Sequence, residues 1–345
     1  MQVVVDGYVH RKGEHCASTA LRNILAFHGL SLSEGMVFGL ASGLGFFYIA
    51  NDSLSPTRMF HGRTATLEID FTTNTGIVHS NGMTTDDDKA WSDLRARLDE
   101  GIPVMLSTDT FYLGYQNTTS HFPKHRAVAV GYDEAAGTVL IADRKLDDYQ
   151  AVPREELRRA RNAGDYPISC GNEYDHFSGQ LELGRSLPES IRYAIVRNVR
   201  GMRAEADASI PMATVGFAGM RRLAAEFRSW KSIDDWSWAA RFGYQVVIKR
   251  GAGDHFFRSL YADFLRESSE AVPALAEYGL GERMDVIAER WVDFASVLKE
   301  QSERETCEPG LFEAAGHRML ELADLEEALF DRLGELCLRD ALWTG

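Results

Sequence analysis

The chain has 345 residues, 45% of them hydrophobic, and a formal net charge of −14. That is ample apolar material for a packed core and suggests two domains. The acidic balance excludes general nucleic-acid binding, which needs a basic footprint, and suits cationic substrates such as amines. The opening Met1-Gln2-Val3-Val4-Val5-Asp6-Gly7 has no basic region leading into a long apolar run, so no signal peptide is expected. No segment approaches the roughly 20 apolar residues of a membrane span. Cys16, Cys170, Cys307 and Cys337 show no CxxC or Cys/His spacing, so neither a metal site nor a cofactor is expected. Free thiols in a cytoplasmic protein are the simplest expectation.

The first element is a helix from Cys16 to Phe27, with Ala20, Leu21, Ile24 and Leu25 on one apolar stripe and Gly29 as its stop. Ser31-Leu32-Ser33-Glu34 has the spacing of a capping box, which predicts a short second helix through Met36, Val37 and Phe38. Gly39, Gly43 and Gly45 allow close backbone approach, and Phe46-Phe47-Tyr48-Ile49 reads as a strand. Phe46, Phe47 and Tyr48 are candidates to line a substrate pocket; ordinary core is the other reading. Asp86-Asp87-Asp88 marks a solvated turn before an amphipathic helix, Lys89 to Leu98, ended near Gly101. Val104 to Ser107 is a short buried strand. Arg126 to Tyr132 and Thr138 to Ala142 form a hairpin across Asp133-Glu134-Ala135-Ala136-Gly137. A basic helix starts at Pro153 and runs through Arg161. After Pro211 the chain is mainly helical: 216–230, 236–249, 254–270, 284–300 and 311–338. Trp236 and Trp238 read as core. Gly251-Ala252-Gly253-Asp254 reads as a helix start, with anion binding as the weaker alternative. The predicted fold class is α+β, with a catalytic domain over 1–150 and a mainly helical domain over 151–345.

The chemistry rests on Cys16. A helix N-terminus favours a thiolate, so a thiol there is a candidate nucleophile. Further along, His125 opens one strand of the hairpin and Asp143 follows the other. Cysteine, then histidine, then carboxylate is the chain order of a papain-like triad. The hairpin brings His125 and Asp143 close, because adjacent strands lie about 4.8 Å apart. His125 would activate the thiol and return its proton, and Asp143 would hold the imidazole. His121 is a competing base, and Arg144 a competing partner for Asp143. His15 is expected to point away from Cys16, as neighbours on a helix do.

His15-Cys16-Ala17-Ser18-Thr19-Ala20-Leu21-Arg22-Asn23, then Phe38-Gly39 through Gly45-Phe46-Phe47-Tyr48, then His125 with Val130-Gly131-Tyr132-Asp133, resemble the N-terminal domain of the butirosin biosynthesis protein H family. That domain is similar to papain-like and bacteriocin-processing cysteine peptidases. Gly251-Ala252-Gly253, Phe257-Arg258 and Tyr261-Ala262-Asp263-Phe264-Leu265 resemble the uncharacterised helical domain that usually follows it. The resemblance implies a papain-like domain and an acyltransferase of antibiotic (secondary) metabolism. An acyl group would pass from an acyl carrier protein, or another thioester donor, through Cys16 to an amine-containing small molecule. In papain-like enzymes a glutamine commonly stands about six residues before the nucleophile; here that place holds His10, the oxyanion candidate. Carrier proteins are acidic, so docking needs a local basic patch. Arg154, Arg158, Arg159 and Arg161 form one candidate, and Arg221, Arg222, Arg228 and Lys231 another. A peptidase or thioester hydrolase with the same triad, and a non-catalytic binding or scaffold protein, are the rival functions. Neither a nucleic-acid nor a membrane partner is expected, and homo-oligomerisation stays open.

Overall fold

The computed structural model describes residues 1–164, 169–250, 253–339 and 342–343. The chain divides into two compact units that alternate along the sequence, 1–34 with 77–183 and 35–76 with 184–345. The expected division at residue 150 therefore gives way to an interleaved one. Residues 35–76 join the helical unit because their strands pair and pack there, while 151–183 complete the first unit's sheet.

In the first unit, seven strands among the described residues form one antiparallel sheet. Its order is Ser80–Gly82, Tyr174–His176, Val104–Thr108, His125–Asp133, Thr138–Ala142 and Gln150–Pro153, with Gln2–Val4 also pairing with His125–Asp133. The predicted hairpin is present, with Val128 opposite Ala142 and Asp133 opposite Thr138. The Cys16–Phe27 helix packs on the His125–Asp133 strand. Its buried Leu21, Ile24 and Leu25 supply the apolar stripe that periodicity predicted. The helix Asp87–Asp99 also contacts that strand. Asp86 is more than a solvated turn residue, because its carboxylate caps this helix by accepting from Lys89 N–H at 3.0 Å.

The second unit holds a three-stranded sheet in the order Thr214–Val215, Leu44–Ala50, Arg58–Arg63, set against helices. These include Leu67–Thr75, Leu187–Arg203, Gly216–Trp230, Trp236–Ile248, Arg258–Ala271, Leu280–Ser302 and Pro309–Cys337. The Leu187–Arg203 helix, unforeseen in the sequence, starts on a capping box between Ser186 and Glu189. The helix expected from 254 starts only at Arg258, because Asp254, Phe256 and Phe257 have left-handed φ values of 61°, 51° and 69°. Gly251 and Ala252 of the glycine motif lie outside the described residues. Trp236 and Trp238 are half-buried rather than core. The core is instead built on Trp230, Trp291, Phe60, Phe227 and Phe256.

Inside this core Arg258 and Glu326 are both fully buried. The guanidinium donates from Nε and Nη2 to the two carboxylate oxygens, at 2.8 and 2.9 Å. Trp291 Nε1 donates to the same carboxylate at 2.7 Å. Arg258 Nη1 donates to the carbonyls of Gly62 and Phe256. Fork-to-fork geometry with every remaining group satisfied is what a buried ion pair requires.

Candidate active site

Cys16 opens the Cys16–Phe27 helix, and His15 is its cap. Glu34 fastens this turn from behind. Its carboxylate accepts from the N–H groups of Glu14 and His15, at 3.0 and 2.9 Å. It also accepts from the hydroxyls of Ser18 and Thr19, at 2.9 and 3.0 Å. The capping-box reading of Ser31 and Glu34 is thus corrected. Glu34 is the first residue of the Glu34–Leu40 helix, and it satisfies donors around an earlier helix N-terminus rather than those of its own. Gly13 makes room for it, since a Cβ there would lie 2.2 Å from both Glu34 Oε2 and Thr19 Oγ1. Gly13→Ala is expected to displace Glu34 and cost about 1–3 kcal/mol, read by urea denaturation, with slower alkylation of Cys16 in the folded variant.

His125 and Asp143 meet as the hairpin predicted, with Nε2 and Oδ2 2.8 Å apart. Nδ1 is then the nitrogen left for the Cys16 thiol, with which the His125 ring hydrogen-bonds. Asp143 is held from several sides. Oδ2 accepts from the Tyr115 hydroxyl at 2.8 Å and Gln116 Nε2 at 2.5 Å. Oδ1 accepts from Arg144 N–H at 2.7 Å. Arg144 does not pair with Asp143 through its side chain; its guanidinium donates to the Glu14 carbonyl. His121 is engaged elsewhere, against Asp109 at 2.7 Å and stacked on Phe111. Tyr115 and Gln116 escaped the sequence reading because they sit in short turns with no periodic signal.

The electrostatics separate Cys16 from the other cysteines. Burial works against its ionisation, but the charge of His15 and hydrogen bonds from His125 and His15 hold the thiol well below its ordinary value. Burial pushes Cys170, Cys307 and Cys337 upward instead. Burial opposes charge on His125 too, yet Asp143 and Cys16 raise it to about 10. Asp143 is likewise opposed by burial and is drawn down to about 2 by His125, Tyr115 and the Arg144 N–H. All three shifts run toward thiolate, imidazolium and carboxylate. His125's share of stability is complete below its ordinary 6.5 and is lost as pH rises through about 10. Asp143's share is complete above 3.8 and is lost as pH falls through about 2. Both shares are therefore in full force between about pH 4 and 6.5.

His15 corrects a second expectation. It acts directly on the Cys16 sulfur rather than pointing away. As the helix cap it has extended backbone, φ −115° and ψ 135°, so helical spacing does not set its direction. Its Nδ1 lies 3.1 Å from Ser18 Oγ.

His10 lines the same narrow cleft as Cys16, together with Asn23. Asn23 Nδ2 faces His10 Nδ1 at 3.3 Å. Burial lowers the pKa of this ring, against backbone hydrogen bonds at Leu146 and Asp143 that raise it. Phe46, Phe47 and Tyr48 belong to the second unit, where Phe46 stacks on Phe60, Phe47 on His61, and the Tyr48 hydroxyl donates to Glu226 at 2.7 Å. Phe46 and Tyr48 are buried there, in keeping with the ordinary-core reading. The basic patches are also largely engaged. Arg161 is buried, Arg158 pairs with Asp87 and Glu155, and Arg221 with Asp324 and Glu327.

The first unit is thus an α+β, papain-like domain carrying a Cys-His-Asp constellation, and the second is mainly helical. Residues 15–144 match the family model "Butirosin biosynthesis protein H, N-terminal", and residues 155–333 match "Domain of unknown function (DUF4872)". The chain belongs to this butirosin biosynthesis protein H-like, two-domain family. No curated protein matches it. Among the described residues, no helix is long and apolar enough to cross a membrane.

Proposed function

We propose that the protein is a cysteine-dependent acyltransferase of natural-product biosynthesis, moving an acyl group from a carrier-protein thioester to an amine. The observation that carries this is the Cys16 thiol hydrogen-bonded to an imidazole that Asp143 holds at 2.8 Å. The family's name, a biosynthesis protein, favours a synthetic role over protein degradation.

In the first step the Cys16 thiolate attacks the thioester carbonyl carbon. The C–S bond to the carrier breaks, and the imidazolium of His125 protonates the departing thiolate. In the second step the amine nitrogen attacks the Cys16 acyl-enzyme, and neutral His125 takes the ammonium proton. The Cys16–carbonyl bond breaks, the amide leaves, and the thiolate–imidazolium pair is restored. Exchange between two thiol esters costs little, and the amide is the thermodynamic sink. The backbone N–H of Cys16 and the His10 ring are the donors assigned to the oxyanion.

Incubation with an acyl-pantetheine thioester, followed by intact-mass measurement, is expected to show one acyl adduct that is absent in Cys16→Ala. Adding an aminoglycoside is expected to discharge it as an amide. Free acid alone, with and without the amine, would mean that the enzyme is a hydrolase. No adduct at all would point to a binding protein.

A further inference from the structure

The first unit has a second opening, away from the thiol. It is a cavity of about 450 Å³ between the Asp87–Asp99 helix and the Tyr174–His176 edge of the sheet. Val104 lines it, and Val104 stands opposite Ala129 in the sheet register. The Cys16 cleft is lined by Arg126 and Val128 instead. Residues alternate sides along a strand, so the two openings lie on opposite faces of the sheet.

The cavity is built around a buried cation. Arg161 is 3% exposed, and among the described residues no carboxylate is in direct contact with it, although Asp87 and Asp93 attract it from further off. Nη1 and Nη2 donate to the carbonyls of Ala90 and Asn172, at 3.2 and 3.5 Å, and Nε has no partner. His176, 8% exposed, lines the same cavity; its Nδ1 is buried without a partner and its ring stacks on Tyr174. Lys89 and Arg97 stand at the rim. Their pairs with Asp93 and Glu100 are exposed, and such pairs exchange readily for a stronger anion. Of the charged lining residues three are cations and one, Asp93, is an anion. Ser80 and Ser178 add hydroxyl donors.

We propose that this cavity binds a phosphate monoester of a small organic molecule. A buried guanidinium with no carboxylate in contact is disfavoured, and an incoming dianion supplies the direct pairing that Asp87 and Asp93 give only from a distance. The cavity is larger than one phosphate, and the Tyr174 ring offers the organic part a face. The site stands independently of what Cys16 carries.

Calorimetric titration of the full chain tests it with phenyl phosphate, inorganic phosphate and benzoate. Phenyl phosphate is expected to bind at millimolar concentration or below, inorganic phosphate more weakly, and benzoate not measurably. Arg161→Gln is expected to weaken phenyl phosphate binding by about tenfold or more. Should that variant not fold, the exposed Lys89→Ala and Arg97→Ala each lower affinity by about threefold. The alkylation rate of Cys16 stays unchanged in both rim variants. No phosphate binding by the native chain, equal binding of benzoate, or undiminished binding in the rim double variant overturns the proposal.

Discussion

His125→Ala is expected to slow acylation of Cys16 by about 10³-fold, within the range seen when a positioned acid–base is removed. The same variant has a signature that needs no substrate. In the native protein, burial disfavours the thiolate but His15 and His125 outweigh it. Without His125 the thiol moves up, and only His15 is left to oppose burial. At pH 6.5 the thiolate fraction then falls. A more basic thiolate is intrinsically more nucleophilic, which returns part of the loss. Iodoacetamide alkylation at that pH is therefore expected to drop about tenfold, and the drop to vanish above pH 9. A pH profile identical to the native one would show that His125 does not set the state of the sulfur.

Glu326→Ala is expected to be the most damaging change for stability. It strands the fully buried Arg258 guanidinium and leaves Trp291 Nε1–H without its acceptor. Breaking a buried pair from one side costs about 3–5 kcal/mol. Urea denaturation followed by far-ultraviolet circular dichroism reads this directly, since the second unit carries most of the helices. The double variant Arg258→Met, Glu326→Leu is expected to recover much of the loss, because the desolvation of both charges disappears with them. Equal losses in the single and double variants would show that packing at these positions, not charge, decides the outcome.

Much of the site was legible because it depends on local pattern. The helix from Cys16 to Phe27 follows from its apolar spacing, and the His125–Asp143 approach follows from one hairpin. What was not legible depends on partners distant in sequence. Glu34 has helix-capping spacing from Ser31, and only the folded chain shows that it serves residues 14–19 instead. His15 follows cap geometry, which sequence position alone does not reveal. Phe46, Phe47 and Tyr48 read equally well as pocket or core, and the choice was made by a core whose other half, Phe256 and Trp291, comes some two hundred residues later. The run of arginines from 154 to 161 looked uniform, yet folding buries one and pairs another with acids.

The interleaving of the two units bears on biosynthesis at the ribosome. The strands Leu44–Ala50 and Arg58–Arg63 emerge early, but the helices that cover them follow only after residue 187. Until translation is far advanced, Phe46, Tyr48 and Phe60 are apolar surface awaiting a partner, which is where nascent chains aggregate or recruit chaperones. Cutting the gene at the apparent midpoint would leave that surface permanently uncovered. A soluble fragment carrying Cys16 would need the segment 35–76 replaced by a polar linker, not merely a stop codon after residue 150.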